Sequence, residues 1–145
     1  MWAQNPPQSY MNFEGSQTAP LRMSTDGTRL YAVNTAAARL SVFDITSPAA
    51  PSRIAEVPVG IEPVSANPRT NDEVWVVNEE SDSVSVVSVS RGIVTDTIHV
   101  GDEPADVVFA GTSRLAFVSV GRSGVVTVID VTTHRIVKVI PVAGG

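Results

Sequence analysis

An all-β fold assembled from three tandem units is what this sequence predicts, on three observations. Valine dominates the apolar residues, leucine is scarce, and serine and threonine fill much of the remainder, which suits pleated, half-buried strands. Ten glycines and ten prolines are spread through the 145 residues and leave little room for a helix of ordinary length. Three segments also align with one another in register along the chain.

Each unit opens at a proline: Pro20-Leu21-Arg22-Met23-Ser24, Pro63-Val64-Ser65-Ala66-Asn67 and Pro104-Ala105-Asp106-Val107-Val108, spaced 43 and 41 residues apart. Proline suits the first position of a strand, where its missing donor costs least. A polar turn follows, Thr25-Asp26-Gly27, Arg69-Thr70-Asn71-Asp72 or Gly111-Thr112-Ser113. A second strand then carries an aromatic residue: Leu30-Tyr31-Ala32-Val33-Asn34, Val74-Trp75-Val76-Val77-Asn78 and Ala116-Phe117-Val118-Ser119-Val120. The third strand ends at Asp44, Ser88 or Asp130, and its alternation is clear in Ser83-Val84-Ser85-Val86-Val87 and Val126-Thr127-Val128-Ile129-Asp130. A fourth strand closes each unit, over residues 54–59, 93–100 and 136–142. Four short strands in about 42 residues is the spacing of a β-propeller blade. The expected architecture is therefore three consecutive four-stranded antiparallel blades in an open arc. A lead-in covers residues 1–19, and the blades cover residues 20–62, 63–103 and 104–145.

Tyr31-Ala32-Val33-Asn34 and Trp75-Val76-Val77-Asn78, with the turn Ser24-Thr25-Asp26-Gly27 before the first, resemble the motif of the YVTN family of β-propeller repeat proteins. The third unit departs from it, because Phe117-Val118-Ser119-Val120 lacks the asparagine. The resemblance implies a propeller and names no single activity, since such propellers serve surface, binding and enzymatic roles.

A blade cannot bury both faces alone, so Tyr31, Trp75 and Phe117 are expected to pack between neighbouring blades. Asn34 and Asn78 are expected to form turns. The crossings Val59-Gly60-Ile61-Glu62-Pro63 and Val100-Gly101-Asp102-Glu103-Pro104 lead from one outer strand to the next inner strand. Propellers close with four to eight blades, so an arc of three requires further blades in cis, as part of a longer protein, or self-association. The stop at Gly144-Gly145, just before another proline-led strand is due, points to the first.

The net charge of −5, with basic residues scattered, gives no footprint for nucleic acid or an anionic membrane. No apolar run approaches the roughly 20 residues of a membrane span, so no membrane insertion is expected. Zero cysteines exclude disulfides, thiolate metal sites, a cysteine nucleophile and covalent c-type haem. His99 and His134 fall on or beside outer strands, far from a shared centre, and no Gly-x-Ser-x-Gly elbow appears. No catalytic residue, metal site or cofactor is expected. Met1-Trp2-Ala3-Gln4 has the form of a start beside a removed export signal, and with the family resemblance it points to a periplasmic or extracellular setting.

The loops after second strands and those entering inner strands share one rim, which collects Glu62, Glu79, Glu80, Asp82, Asp102, Glu103 and Arg122. Glu79-Glu80-Ser81-Asp82 reads as a solvated hairpin tip and Gly121-Arg122-Ser123-Gly124 as a hairpin turn. On the inner strands, Arg22, Ser65 and Asp106 each stand two places after the opening proline, which places them at one level near the channel. A ligand site, for a protein or a small molecule, is expected at Arg22, Asp106, Glu62 and Glu103. The functional expectation is a non-enzymatic binding or scaffold propeller. The alternative is the N-terminal part of a lactonase-like or quinoprotein-like enzyme whose active-site residues lie mainly outside this chain.

Overall fold

The computed structural model describes residues 16–142. The expected start at residues 1–4 and the stop at 144–145 lie outside that range. Twelve strands form three separate four-stranded antiparallel sheets. The first contains β1 (Leu21–Met23), β2 (Arg29–Asn34), β3 (Arg39–Asp44) and β4 (Ser52–Pro58). The second contains β5 (Pro63–Pro68), β6 (Glu73–Asn78), β7 (Ser83–Ser88) and β8 (Ile93–His99). The third contains β9 (Pro104–Phe109), β10 (Leu115–Val120), β11 (Val125–Asp130) and β12 (Arg135–Pro141). Each sheet runs in sequence order from inner to outer strand, as a blade does. The outer strands of blades 1 and 3 begin one or two residues earlier than the pattern predicts. All three outer pairs carry a bulge, at Val42/Phe43, Val86/Val87 and Val128/Ile129.

Strand alternation divides each blade into two faces, and the core lies between blades. One face of blade 1, made by Tyr31, Val33, Leu40, Val42 and Val57, buries against Ala66, Val74, Val76 and Val87 of blade 2. The opposite face of blade 2, with Trp75, Val77, Val84, Val86 and Ile98, buries against Val107, Ala116, Val118 and Ile129 of blade 3. The face that carries the second-strand ring of one blade, Tyr31 or Trp75, therefore meets the opposite face of the next. Tyr31 and Trp75 are completely buried, whereas Phe117, in the same register of the last blade, remains partly exposed. The expected role of the three rings in inter-blade packing is met at the two internal interfaces.

Polar contacts lock these interfaces at the rim opposite the crossings. The Tyr31 hydroxyl (3.4 Å) and Arg29 Nη1 (3.2 Å) both donate to the Asn71 carbonyl of blade 2, and Thr25 Oγ1 donates to Asn71 Oδ1 at 2.5 Å. At the second interface the Trp75 ring meets Phe109 edge-on at 5.3 Å and His134 at 5.7 Å. The indole N–H donates to Glu73 Oε1 at 2.7 Å, and Arg69 grips both Glu73 oxygens. His134 Nδ1 lies 2.8 Å from Asp96 Oδ2, joining the turn before β12 to the middle of β8.

The two asparagines that end β2 and β6 differ. Asn34 accepts the Ala37 N–H and shapes its turn, as expected. Asn78 does not: it is wholly buried, and its amide donates across the hairpin to Ser85 Oγ at 3.0 Å and Ser83 Oγ at 3.3 Å. Gly60 of the crossing lies directly against it, and a Cβ there would come within 2.6 Å of Asn78 Cγ. Gly60→Ala is therefore expected to cost about 1–3 kcal/mol in urea unfolding, since the enclosed amide has nowhere to move. Gly121→Ala, whose Cβ would meet only the Glu103 carbonyl at 3.5 Å, serves as the control and is expected to unfold close to wild type. Equal losses in the two variants would remove the steric account of Gly60.

Candidate functional site

The crossings between blades build one rim of the arc. At Glu62 and Glu103 the chain turns through positive φ, 56° in both, and each carbonyl then accepts an N–H from the hairpin of the blade being entered. Glu62 takes Glu79 N and Glu103 takes Gly121 N, both at 2.9 Å. The hairpins hold the crossings in turn. The Ile61 N–H bonds to Ser81 Oγ, Asp102 N donates to Ser123 Oγ at 3.3 Å, and Glu103 N donates to Asp82 Oδ1 at 3.1 Å. The tip Glu79-Glu80-Ser81-Asp82 is thus more than the solvated turn its composition predicts, because two of its side chains staple the blade crossings in place.

This scaffold gathers carboxylates. Partial desolvation, followed by repulsion from Glu62, Glu103 and Glu80, pushes the Glu79 carboxyl above its usual range. Arg122 is the cation set against the group, with Nη1 3.1 Å from Glu103 Oε1 and Nε 3.4 Å from Asp102 Oδ2. Glu62 and Glu103 are accordingly brought into one electrostatic neighbourhood with Glu79.

Asp106 and Arg22 are not brought together. Asp106 Oδ1 accepts from Asn67 Nδ2 of blade 2 at 3.0 Å, and the same nitrogen reaches Ser65 Oγ at 3.0 Å, which links the inner strands of blades 2 and 3. Ser65 pairs with Val77, and Asp106 with the equivalent Ser119, so these two do share a level. Arg22 pairs with Tyr31, which puts it level with Asn67 and Val108, two residues further along the strand. The expectation of three polar residues at one level is corrected for Arg22. Bulges follow the opening prolines of blades 2 and 3, whereas Leu21 to Met23 pair without interruption. Arg22 is exposed and donates to the carbonyl of Leu21 at 3.1 Å.

Asn67 is the residue that counting from the prolines missed. Counting back from the aromatic strand misses it too, because Arg22 and Val108 stand nine residues before their partners Tyr31 and Phe117, whereas Asn67 stands eight before Trp75. Among the described residues, no group of three or more histidine and acidic side chains is arranged to hold a metal ion.

The raised Glu79 has a consequence with a definite sign. A carboxyl whose folded pKa exceeds its unfolded value destabilises the fold once ionised, and the penalty disappears as pH falls below the ordinary carboxylate value. Glu79→Gln is therefore expected to raise the melting temperature at pH 7 and to leave it nearly unchanged close to pH 4. A variant that melts lower than wild type at pH 7 would contradict this electrostatic picture.

No family model matches the sequence, and no curated protein matches it. Solved structures do. A chain of Kuenenia stuttgartiensis hydrazine synthase superposes with a TM-score of 0.75 at 27% identity, over 90% of this chain and 38% of its own length. Apo AztD from Citrobacter koseri superposes with a TM-score of 0.68 at 17% identity, over 97% of this chain and 38% of its own, a likeness of fold alone. This chain thus spans less than two fifths of the length of the solved proteins it matches. These neighbours are propeller proteins, and with three antiparallel four-stranded sheets in an unclosed array the chain has the β-propeller fold.

Proposed function

We propose that this chain is three blades of a YVTN-type propeller that acts outside the cytoplasm as a non-enzymatic binding scaffold, presenting its acidic rim to a cationic protein segment. The observation that carries the reading is the carboxylate cluster at the crossings. Partial desolvation raises the Glu79 carboxyl and repulsion from Glu62, Glu103 and Glu80 adds to it, so the rim gathers negative charge that a basic partner would relieve. The rim is also rigid, because its turns are fixed by backbone and side-chain hydrogen bonds, so little ordering is needed on binding. The extracytoplasmic setting follows the family resemblance.

A second reading has one observation in its favour. The 27% identical neighbour is by name a synthase, so this arc would belong to an enzyme whose reacting groups lie mainly in other blades. Lactone hydrolysis is the first activity to screen, and turnover by this chain would overturn the non-enzymatic reading.

The scaffold reading is tested by titrating an oligolysine peptide calorimetrically at low and at physiological salt. Binding is expected to weaken as salt rises, because the charges are surface charges. The triple variant Glu62→Lys, Glu79→Lys, Glu103→Lys is expected to lose it. Undiminished binding by that variant would exclude this rim as the site.

A further inference from the structure

We infer that Asp26-Gly27 is a latent modification site, where the chain rearranges to isoaspartate once the turn of residues 24–28 opens, and that the folded turn is the device that prevents it. This stands apart from the scaffold reading. Asp26-Gly27 is the one Asp-Gly pair in the 145 residues, and there is no Asn-Gly pair. Glycine suits this place because the chain passes through a φ of 71° there. The same residue leaves its nitrogen unshielded, since no Cβ stands beside it. That nitrogen can attack Cγ of a protonated Asp26: a C–N bond forms, and the carboxyl hydroxyl leaves as water with the amide proton. Water then reopens the succinimide ring at either carbonyl. Reopening at the main-chain carbonyl runs the chain through the Asp26 side chain, as isoaspartate, with no net change in mass.

The folded turn withholds both reacting groups. Asp26 Oδ1 accepts from Ser24 Oγ at 2.6 Å, Thr28 N at 3.0 Å and Thr28 Oγ1 at 2.8 Å. The bond from Ser24, followed by those from Thr28, holds the carboxyl well below the usual carboxylate range, and an ionised carboxylate has no hydroxyl to lose. The amide proton that must depart is engaged as well, because Gly27 N donates to the Ser24 carbonyl at 3.0 Å. Ser24 is buried and is fixed in turn by Arg29, whose N–H donates to Ser24 Oγ at 3.0 Å. The bond also lies in the clasp between blades 1 and 2. Thr25 Oγ1 and Asp26 N donate to Asn71 Oδ1 at 2.5 and 3.3 Å, and the extra main-chain methylene of isoaspartate would displace these donors.

Rates of isomerisation test this. Folded wild type and a synthetic peptide of residues 22–30 are incubated in parallel at mildly acidic pH, where a free carboxyl is partly protonated. Isoaspartate is counted by methyltransferase labelling, and peptide mapping assigns it to Asp26. The folded chain is expected to form it at least about tenfold more slowly than the peptide, since the reaction waits on local opening. Ser24→Ala and Thr28→Val each remove one donor to the carboxylate and are expected to isomerise several times faster than wild type, with circular dichroism checking that both are folded. Thr28→Ser, which retains the hydroxyl, is expected to react at the wild-type rate. Thr28→Val keeps the backbone bonds of the turn, so it decides the matter if Ser24→Ala misfolds. Three results would overturn the inference: folded wild type reacting as fast as the peptide, a folded Thr28→Val as slow as wild type, or Thr28→Ser as fast as Thr28→Val.

Discussion

Stacking of one blade on the next is the constraint on which the rest of this structure depends. A lone four-stranded sheet here has two apolar faces and no layer of its own to cover them, so its stability is borrowed from its neighbours. The middle blade illustrates this: Val74, Val76 and Val87 on one side and Trp75, Val77 and Val86 on the other are all fully or almost fully buried. Blades 1 and 3 each have only one face so covered. Burial of a large side chain contributes about 1.5–3 kcal/mol. Repetition of that term along Tyr31, Leu40, Trp75 and Ile129, all completely buried, is what holds the arc against chain entropy.

The polar network follows from this stacking. Once two blades are in contact, their inner strands and turns come within hydrogen-bond reach, and the sequence supplies partners there. Asn67 joins Asp106 across the inner strands, while Asn71 collects Thr25, Arg29 and Tyr31. At the crossings the positive φ of Glu62 and Glu103 is held by the hairpin that each carbonyl engages. The acidic rim is thus a by-product of how blades are joined, and its electrostatic tension at Glu79 is the part open to use by a partner.

Much of this was legible from residue order. Period-two alternation in residues 83–87 and 126–130, with units repeated about every 42 residues, specified strands, sheet order and the packing role of Trp75, because those depend on local pattern and on repetition. The level of Arg22 was not legible, since bulges in the inner strands of blades 2 and 3 change the register without leaving a mark that proline spacing reveals. Nor was the inward turn of Asn78, which depends on the absence of a side chain at Gly60, distant in sequence. Contacts such as His134 to Asp96, 38 residues apart, exist only after blades stack. The grouping of Glu62, Glu79 and Glu103 was foreseeable from topology, whereas their mutual repulsion required the folded geometry.

The most direct measurement of the stacking account is equilibrium urea unfolding, followed by circular dichroism, of Trp75→Ala beside Phe117→Ala under dilute, monomeric conditions. The two rings occupy the same register, and only Trp75 has a blade against it. Trp75→Ala is predicted to lose about 3–5 kcal/mol, the range for removing a buried large aromatic, and Phe117→Ala much less. Equal losses, or a loss at Trp75 below about 1 kcal/mol, would contradict the claim that each blade is stabilised by the next.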